Sequence, residues 1–66
     1  MKIWLNGASG MLGRDVFDQC SQLISTEIIA TAYRRATKQI SSLDLTNTKA
    51  LAAFLDKCNP DIIIHC

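Results

Sequence analysis

Three glycines stand three residues apart near the start of the chain, at Gly7, Gly10 and Gly13. The apolar residues 3–5 before them favour a buried strand, and a helical pattern follows from about Met11. In a turn of this kind, backbone N–H groups and the positive end of the helix dipole can bind a phosphate. We assign Gly7 to the sharp turn, Gly10 to close approach of a pyrophosphate, and Gly13 to packing of the helix on the strand. Because G-x-x-G-x-x-G is a weaker signal than G-x-G-x-x-G, an ordinary turn with glycines for packing is the alternative.

Two arginines, Arg34 and Arg35, follow a second apolar segment, residues 27–32, whose β-branched side chains predict a strand. In domains selective for NAD, an Asp or Glu about 20 residues past the glycines binds the ribose 2′-hydroxyl. No acidic residue occurs between Ile28 and Ile40. Since a guanidinium there can bind a 2′-phosphate through two hydrogen bonds, the sequence favours NADP over NAD. The alternative is a pair of solvated arginines on a loop.

Two helical stretches lie between the strands. The first is predicted from about residue 10 or 11 to residue 23 or 24, with an apolar stripe formed by Leu12, Val16, Cys20 and Leu23. The second is predicted to follow Thr46, a good N-cap residue, and to end at Asn59 and Pro60. Its core-facing stripe, at positions i, i+3, i+4 and i+7, is formed by Leu51, Phe54, Leu55 and Cys58.

Residues 40–43 predict a short third strand, and residues 62–66 predict a buried last strand. The resulting order, β-α-β-β-α-β, predicts the α/β class and a Rossmann-type parallel sheet with flanking helices. Since 66 residues are about half of a typical domain, we expect residues 1–66 to be the N-terminal part of a single NAD(P)-binding Rossmann domain, truncated at its C-terminal end. Such a short chain would be marginally stable alone.

The composition argues against some classes of binding partner. The net charge of +1 argues against nucleic acid and against a membrane surface, because no basic stripe is present. No apolar run has the length of a signal peptide or a membrane span. The three cysteines contain no C-x-x-C pair, so we expect them to be reduced, buried side chains of a cytoplasmic protein and expect no metal site.

These stretches together resemble the extended short-chain dehydrogenases/reductases. The glycine loop after the first strand looks like the cofactor loop of that family. Residues 43–47 and 59–66 are similar to its D-L-T-D … P-D-x-V-I-H-x-A-A run. Within the family, the chain is most similar to the branch of dTDP-4-dehydrorhamnose reductase and the methionine adenosyltransferase regulatory subunit beta, and residues 33–36 and 65–66 lean toward the latter. The resemblance covers the whole chain but only the N-terminal part of such a protein.

The resemblance implies particular roles in binding the cofactor. The pyrophosphate would be held by backbone N–H groups of the loop and helix start, at Ser9, Gly10, Met11 and Leu12. Arg34 and Arg35 would face the 2′-phosphate. Asp44 and Leu45 would lie beside the adenine, with the Asp44 carboxylate accepting from its amino group.

Three polar residues keep alternatives open. Asp44 could equally be a turn former ahead of the second helix. His65, after three isoleucines, is expected to be a hydrogen-bonded structural residue rather than a catalytic one. Asn6 stands where the family often has Thr, and its amide can still hydrogen-bond the loop.

The resemblance leaves the function of the full-length protein open. The first hypothesis is an NADPH-dependent reductase of a nucleotide-linked keto-sugar, with hydride transfer from the nicotinamide. The alternative is a non-catalytic NADP-binding regulatory subunit whose partner is the methionine adenosyltransferase catalytic subunit. The family's catalytic Tyr-x-x-x-Lys belongs to later segments, because Tyr33 is the only tyrosine here and Thr37 stands four positions on. We therefore expect no catalytic residue in this chain, and a fragment without activity of its own is a third hypothesis.

Overall fold

The computed structural model describes residues 1–34 and 37–66, and within these ranges the chain forms one parallel sheet with two helices. In chain order the elements are β1 (Lys2–Asn6), α1 (Met11–Cys20), β2 (Glu27–Ala32), β3 (Ile40–Ser42), α2 (Thr48–Cys58) and β4 (Ile62–His65). The strands lie in the order β3-β2-β1-β4, and each neighbouring pair is parallel. The predicted element order and the α/β, Rossmann-type class are confirmed.

The sheet carries an apolar core on each of its two faces, because successive side chains of a strand point to opposite sides. Leu5 of β1 lies in the first core, against which Val16 and Phe17 of α1 pack. The neighbouring Trp4 lies in the second core with the apolar stripe of α2. The ring centroids of Trp4 and Phe54 are 4.7 Å apart. The two helices therefore cover opposite faces, which gives three layers.

Helix α1 is shorter than its apolar pattern predicts. It ends at Cys20, and Ser21 donates from both its backbone N–H and its hydroxyl to the carbonyl oxygen of Phe17. Turns then occupy residues 21–25, where the prediction extended the helix. The next N–H groups, of Gln22 and Leu23, donate to the carbonyl oxygens of Gln19 and Cys20, three residues back, so the i→i−4 ladder of the α-helix ends there.

The stripe predicted for α1 is also wrong at both ends. Leu12 is 67% exposed and Leu23 is 50% exposed. The inward face instead contains the buried Gly13, with Val16 and Phe17 three and four residues later. Because Gly13 packs against the preceding loop, the adjacent Leu12 is turned toward solvent.

Helix α2 has the predicted core-facing stripe but a different N-cap. The Oδ1 atom of Asn47 accepts from the backbone N–H of Ala50 at 3.1 Å, so Asn47 is the cap. Thr46, the predicted cap, donates its hydroxyl and its backbone N–H to the Asp44 carboxylate instead. The helix ends as predicted at Asn59, which adopts the left-handed conformation with φ 46°.

Strand β4 is more exposed than predicted. Ile62 and Ile63 are 41% and 56% exposed, whereas Ile64 packs on the core beside α1. Among the described strands β4 pairs only with β1, so one edge of it is open.

The three cysteines differ in part from the prediction that all are buried. Cys58 is buried, Cys20 is partly buried and Cys66 is exposed, and all three are free thiols. In the described ranges, neither helix is long and apolar enough to cross a bilayer.

Candidate functional site

A cleft of about 470 Å³ lies at the carboxyl ends of the four strands. It is lined by residues that end or follow each strand, namely Asn6, Gly7, Tyr33, Leu43, Asp44, Leu45, Thr46, His65 and Cys66. The chain passes from β1 to β2 on one side, whereas β4 lies on the other side of β1. This reversal is the switch point at which open α/β sheets bind their ligands.

A second depression, of about 500 Å³, lies at the amino ends of the strands. Its lining includes Lys2, Glu27 and Asp61 but no residue of the glycine loop. Because ligands of open α/β sheets bind outside the carboxyl ends, the first cleft is the candidate site.

Gly7 makes the turn out of β1, as predicted. Its φ is +81°, a conformation that glycine adopts without steric cost. A Cβ atom here would lie 3.1 Å from the carbonyl carbon of Cys66 and still closer to its oxygen. The N–H groups of Gly7 and Ala8 donate to the Thr31 carbonyl oxygen at 2.9 and 3.2 Å. The loop is thereby fixed between the ends of β2 and β4.

Gly13 and Gly10 have different surroundings. A Cβ atom on Gly13 would lie 2.8 Å from the Cα atom of Ala8 and closer still to the carbonyl oxygen of Gly7. Close packing at Gly13 is therefore present, but its partner is the loop backbone directly after β1 and not the strand that was expected. Within the described ranges, a Cβ atom on Gly10 would meet only the Gly7 oxygen, at 3.6 Å. The space over Gly10 is open, as a phosphate on the loop would require.

The start of α1 has the electrostatics of an anion site. Gly10 is the N-cap, so no side chain caps the helix, and the first turn contains no acidic residue. The first N–H groups of a helix lack partners within it and carry partial positive charge. Met11 is 90% exposed, and the hydroxyl of Ser9 donates to the Arg34 carbonyl oxygen at 3.3 Å. The loop thus joins the end of β2 while leaving the helix start accessible.

Arg34 lies beside the cleft rather than in its lining. Its guanidinium carbon is 5.3 Å from the ring centroid of Tyr33, and both side chains are exposed. A cation over an aromatic face is weakly attracted to it, which favours one orientation of the guanidinium. Arg35, the other arginine of the predicted pair, lies outside the described residues.

Asp44 and Leu45 both line the cleft, at the turn that follows β3. The hydroxyl and backbone N–H of Thr46 donate to Asp44 Oδ1 at 2.7 and 2.9 Å. These two hydrogen bonds lower the pKa of the Asp44 carboxyl group. Asp44 is therefore a turn former, and its carboxylate remains at the edge of the cleft.

Two cleft residues absent from the predicted binding set are linked by their side chains. Asn6 Nδ2 and His65 Nδ1 are 2.8 Å apart, and Asn6 Oδ1 accepts from the hydroxyl of Thr31 at 3.1 Å. Asn6 therefore bonds across the sheet to β2 and β4, not to the loop as expected. His65 is exposed rather than buried. The available signal was their place at the carboxyl ends of parallel strands.

The described ranges contain no group of three His, Cys, Asp or Glu side chains placed to hold a metal ion.

Comparison with known proteins identifies a matching family. The family model described as the RmlD substrate binding domain matches residues 1–66. Methionine adenosyltransferase 2 subunit beta of Xenopus laevis is 32% identical over 62 residues, which cover 94% of this chain and 18% of that protein. The protein of the same name from Rattus norvegicus is 26% identical over 65 residues, covering 98% of this chain and 19% of that protein. The chain thus spans about a fifth of the length of these relatives.

Proposed function

The chain belongs to the RmlD substrate binding domain family, and from this premise we propose that it forms the NADP-binding part of a longer protein. The observation that carries the proposal is the glycine loop at the carboxyl edge of the sheet. Gly10 leaves open space over an uncapped helix start, and this start offers unpaired N–H groups to an anion. A pyrophosphate fits both the space and the charge.

The remaining parts of the dinucleotide are assigned to residues around the cleft. In the proposed complex, the backbone from Ser9 to Leu12 holds the pyrophosphate. Asp44 and Leu45 contact the adenine, where the carboxylate accepts from the amino group and the leucine supplies apolar surface. Arg34, with Arg35, binds the 2′-phosphate and so selects NADP over NAD.

For the longer protein, the first candidate activity is reduction of a nucleotide-linked keto-sugar. Bound NADPH would supply the hydride. The described residues of this chain would bind and orient the dinucleotide, and none of them is assigned a catalytic role. The cytoplasm, where NADPH and nucleotide-linked sugars occur together, is the proposed location.

The second candidate function is that of a regulatory subunit, and the names of the relatives favour it. Both relatives described above are called methionine adenosyltransferase 2 subunit beta. In this candidate function, the NADP site has a structural or regulatory role, and the partner is a methionine adenosyltransferase catalytic subunit.

Binding is tested by titrating the protein with NADPH while following the fluorescence of Trp4, the only tryptophan. We expect saturable quenching, and we expect Gly10→Ala to abolish it without unfolding the protein, because its Cβ atom would occupy the space proposed for the pyrophosphate. If the folded protein gives no saturable signal, or if Gly10→Ala binds as the parent does, the proposal is wrong.

Selectivity is tested with Arg34→Ala and, as its matched control, Arg14→Ala on the exposed face of α1. Loss of a charge-assisted hydrogen bond weakens binding about ten- to a hundredfold. We expect Arg34→Ala to weaken NADPH binding by that factor and to leave NADH binding unchanged. Arg14→Ala should change neither. Equal affinity of the parent for both cofactors would contradict the assignment of the arginine.

The two candidate activities are separated on the longer protein. Consumption of NADPH on addition of a dTDP-linked keto-sugar supports the reductase. Stable co-elution with a methionine adenosyltransferase, without NADPH consumption, supports the subunit.

A further inference from the structure

A chain of side-chain hydrogen bonds runs from the core beside α2 to the cleft. The indole Nε1–H of Trp4 donates to Thr31 Oγ1 at 2.8 Å. The Thr31 hydroxyl donates to Asn6 Oδ1 at 3.1 Å, and Asn6 Nδ2 is 2.8 Å from His65 Nδ1. Trp4, Thr31 and Asn6 are at most 7% exposed, so solvent does not compete for these bonds.

Trp4 sets the donor-to-acceptor direction of every bond in this hydrogen-bond chain, because an indole N–H can only donate. Thr31 accepts that proton on its oxygen and donates its own hydroxyl proton onward to Asn6. The oxygen of the Asn6 amide therefore faces Thr31, and the NH₂ group faces His65. Since an NH₂ group donates, His65 Nδ1 must accept, and the proton of the neutral imidazole then lies on Nε2.

The imidazole so fixed lines the cleft at the carboxyl ends of the strands. His65 lines the cleft with Gly7 and Cys66, and it pairs with Asn6, the residue directly before Gly7. With Nδ1 occupied by Asn6, Nε2–H is the ring group left for a ligand. A donor beside the glycine loop suits an acceptor oxygen.

We propose that the hydrogen-bond chain of Trp4, Thr31 and Asn6 holds His65 as the neutral Nε2–H tautomer, and that this N–H donates to an acceptor oxygen of the bound dinucleotide. The second half of this statement rests on the proposed function; the first half does not. His65 is then a binding residue, and Trp4, Thr31 and Asn6 are positioning residues that act through it.

The tautomer can be measured directly, because His65 is the only histidine in the chain. Long-range ¹H–¹⁵N spectra of the ¹⁵N-labelled protein distinguish a protonated from an unprotonated ring nitrogen. At pH 9 we expect a single species with the proton on Nε2. An imidazole that averages between tautomers, or one protonated on Nδ1, would overturn the proposal.

Two pairs of variants test the cause of the tautomer. In Asn6→Asp, a carboxylate that only accepts replaces the amide, so we expect the proton to move to Nδ1. Thr31→Val removes the hydroxyl and should produce tautomer averaging, whereas Thr31→Ser retains it and should behave like the parent. A proton that stays on Nε2 in both Asn6→Asp and Thr31→Val would show that the chain does not control it.

The ligand is tested by adding NADP⁺ to the same sample. We expect the Nε2 resonances to shift with the same saturation as the backbone amides of Gly10 and Met11, and we expect His65→Phe to weaken binding about tenfold. If the loop amides shift while the imidazole does not, His65 does not contact the ligand, although the proposed function stands. If neither the loop amides nor the imidazole resonances shift, the proposed function itself fails. The tautomer measurement then remains a separate test of the hydrogen-bond chain.

Discussion

Replacement of Gly13 by alanine should destabilise this protein, against the usual effect of alanine in a helix. Within a helix, Gly→Ala ordinarily stabilises by about 1 kcal/mol. Here the new Cβ atom would lie 2.8 Å from the Ala8 Cα atom, 2.9 Å from the Gly7 carbonyl carbon, and closer still to the Gly7 oxygen. All three are backbone atoms, so no side chain can rotate away to make room.

The expected size follows from two opposing terms. Overpacking costs about 1–3 kcal/mol, and contact with fixed backbone places Gly13→Ala near the upper end. Subtracting about 1 kcal/mol for helix propensity leaves a net loss of about 2 kcal/mol. This loss corresponds to about a thirtyfold decrease in the folding equilibrium constant.

Urea unfolding followed by Trp4 fluorescence measures this difference. The matched control is Gly10→Ala, whose Cβ atom would be 3.6 Å from the same Gly7 oxygen, and its unfolding free energy should change by less than about 1 kcal/mol. A Gly13→Ala protein as stable as the parent, or more stable, would refute the packing of α1 on the loop.

Three further predictions concern single side chains. Hydrogen bonds from Thr46 lower the pKa of Asp44. The pair therefore stabilises the fold above the ordinary aspartate pKa of about 4, and this stabilisation is lost as the pH falls through the lowered pKa. NMR titration should show a higher Asp44 pKa in the Thr46→Ala variant. Burial raises the pKa of the Cys58 thiol, so a thiol reagent should modify the exposed Cys66 first, as peptide mass mapping would show, and equal rates would contradict the burial. Asn59→Ala should lower the unfolding free energy by about 1 kcal/mol because alanine disfavours positive φ, whereas Asn59→Gly should not lower it in the same urea experiment.

The parts of the fold that could be predicted are those set by local pattern. Residues 27–32 were predicted as a strand with the bounds that β2 has, because their β-branched run is bounded by turn residues. The α2 stripe was predicted correctly because four large apolar side chains recur at one helical period. In α1, the inward face includes Gly13, which contributes nothing to a hydrophobic pattern, so the apolar pattern passes through Leu12 instead.

The N-cap of α2 and the exposure of β4 differ from the prediction because both depend on tertiary contacts. Thr46 and Asn47 are both good N-cap residues. Asn47 is the cap because the hydroxyl and backbone N–H of Thr46 donate to the Asp44 carboxylate. The isoleucines of β4 predict burial, but the exposure of a strand depends on which neighbouring elements cover it.

In the candidate site, too, the parts set by local sequence could be predicted and the parts set by long-range contacts could not. The glycine turn is visible in sequence because its residues are contiguous and φ +81° at Gly7 needs glycine. The bond between Asn6 and His65 joins residues 59 positions apart, and no local pattern reports it. Strand order brings them together, and strand order is not encoded in any single segment.

The most direct test of the NADP site is a map of amide chemical-shift changes on addition of NADP⁺. We predict shifts concentrated at the carboxyl edge, in residues 7–13, 33–34 and 44–45, with none around the amino-end depression at Ser25 and Glu27. Shifts confined to that depression, or no saturable shifts in a folded protein, would contradict the assignment of the carboxyl-edge cleft as a dinucleotide site.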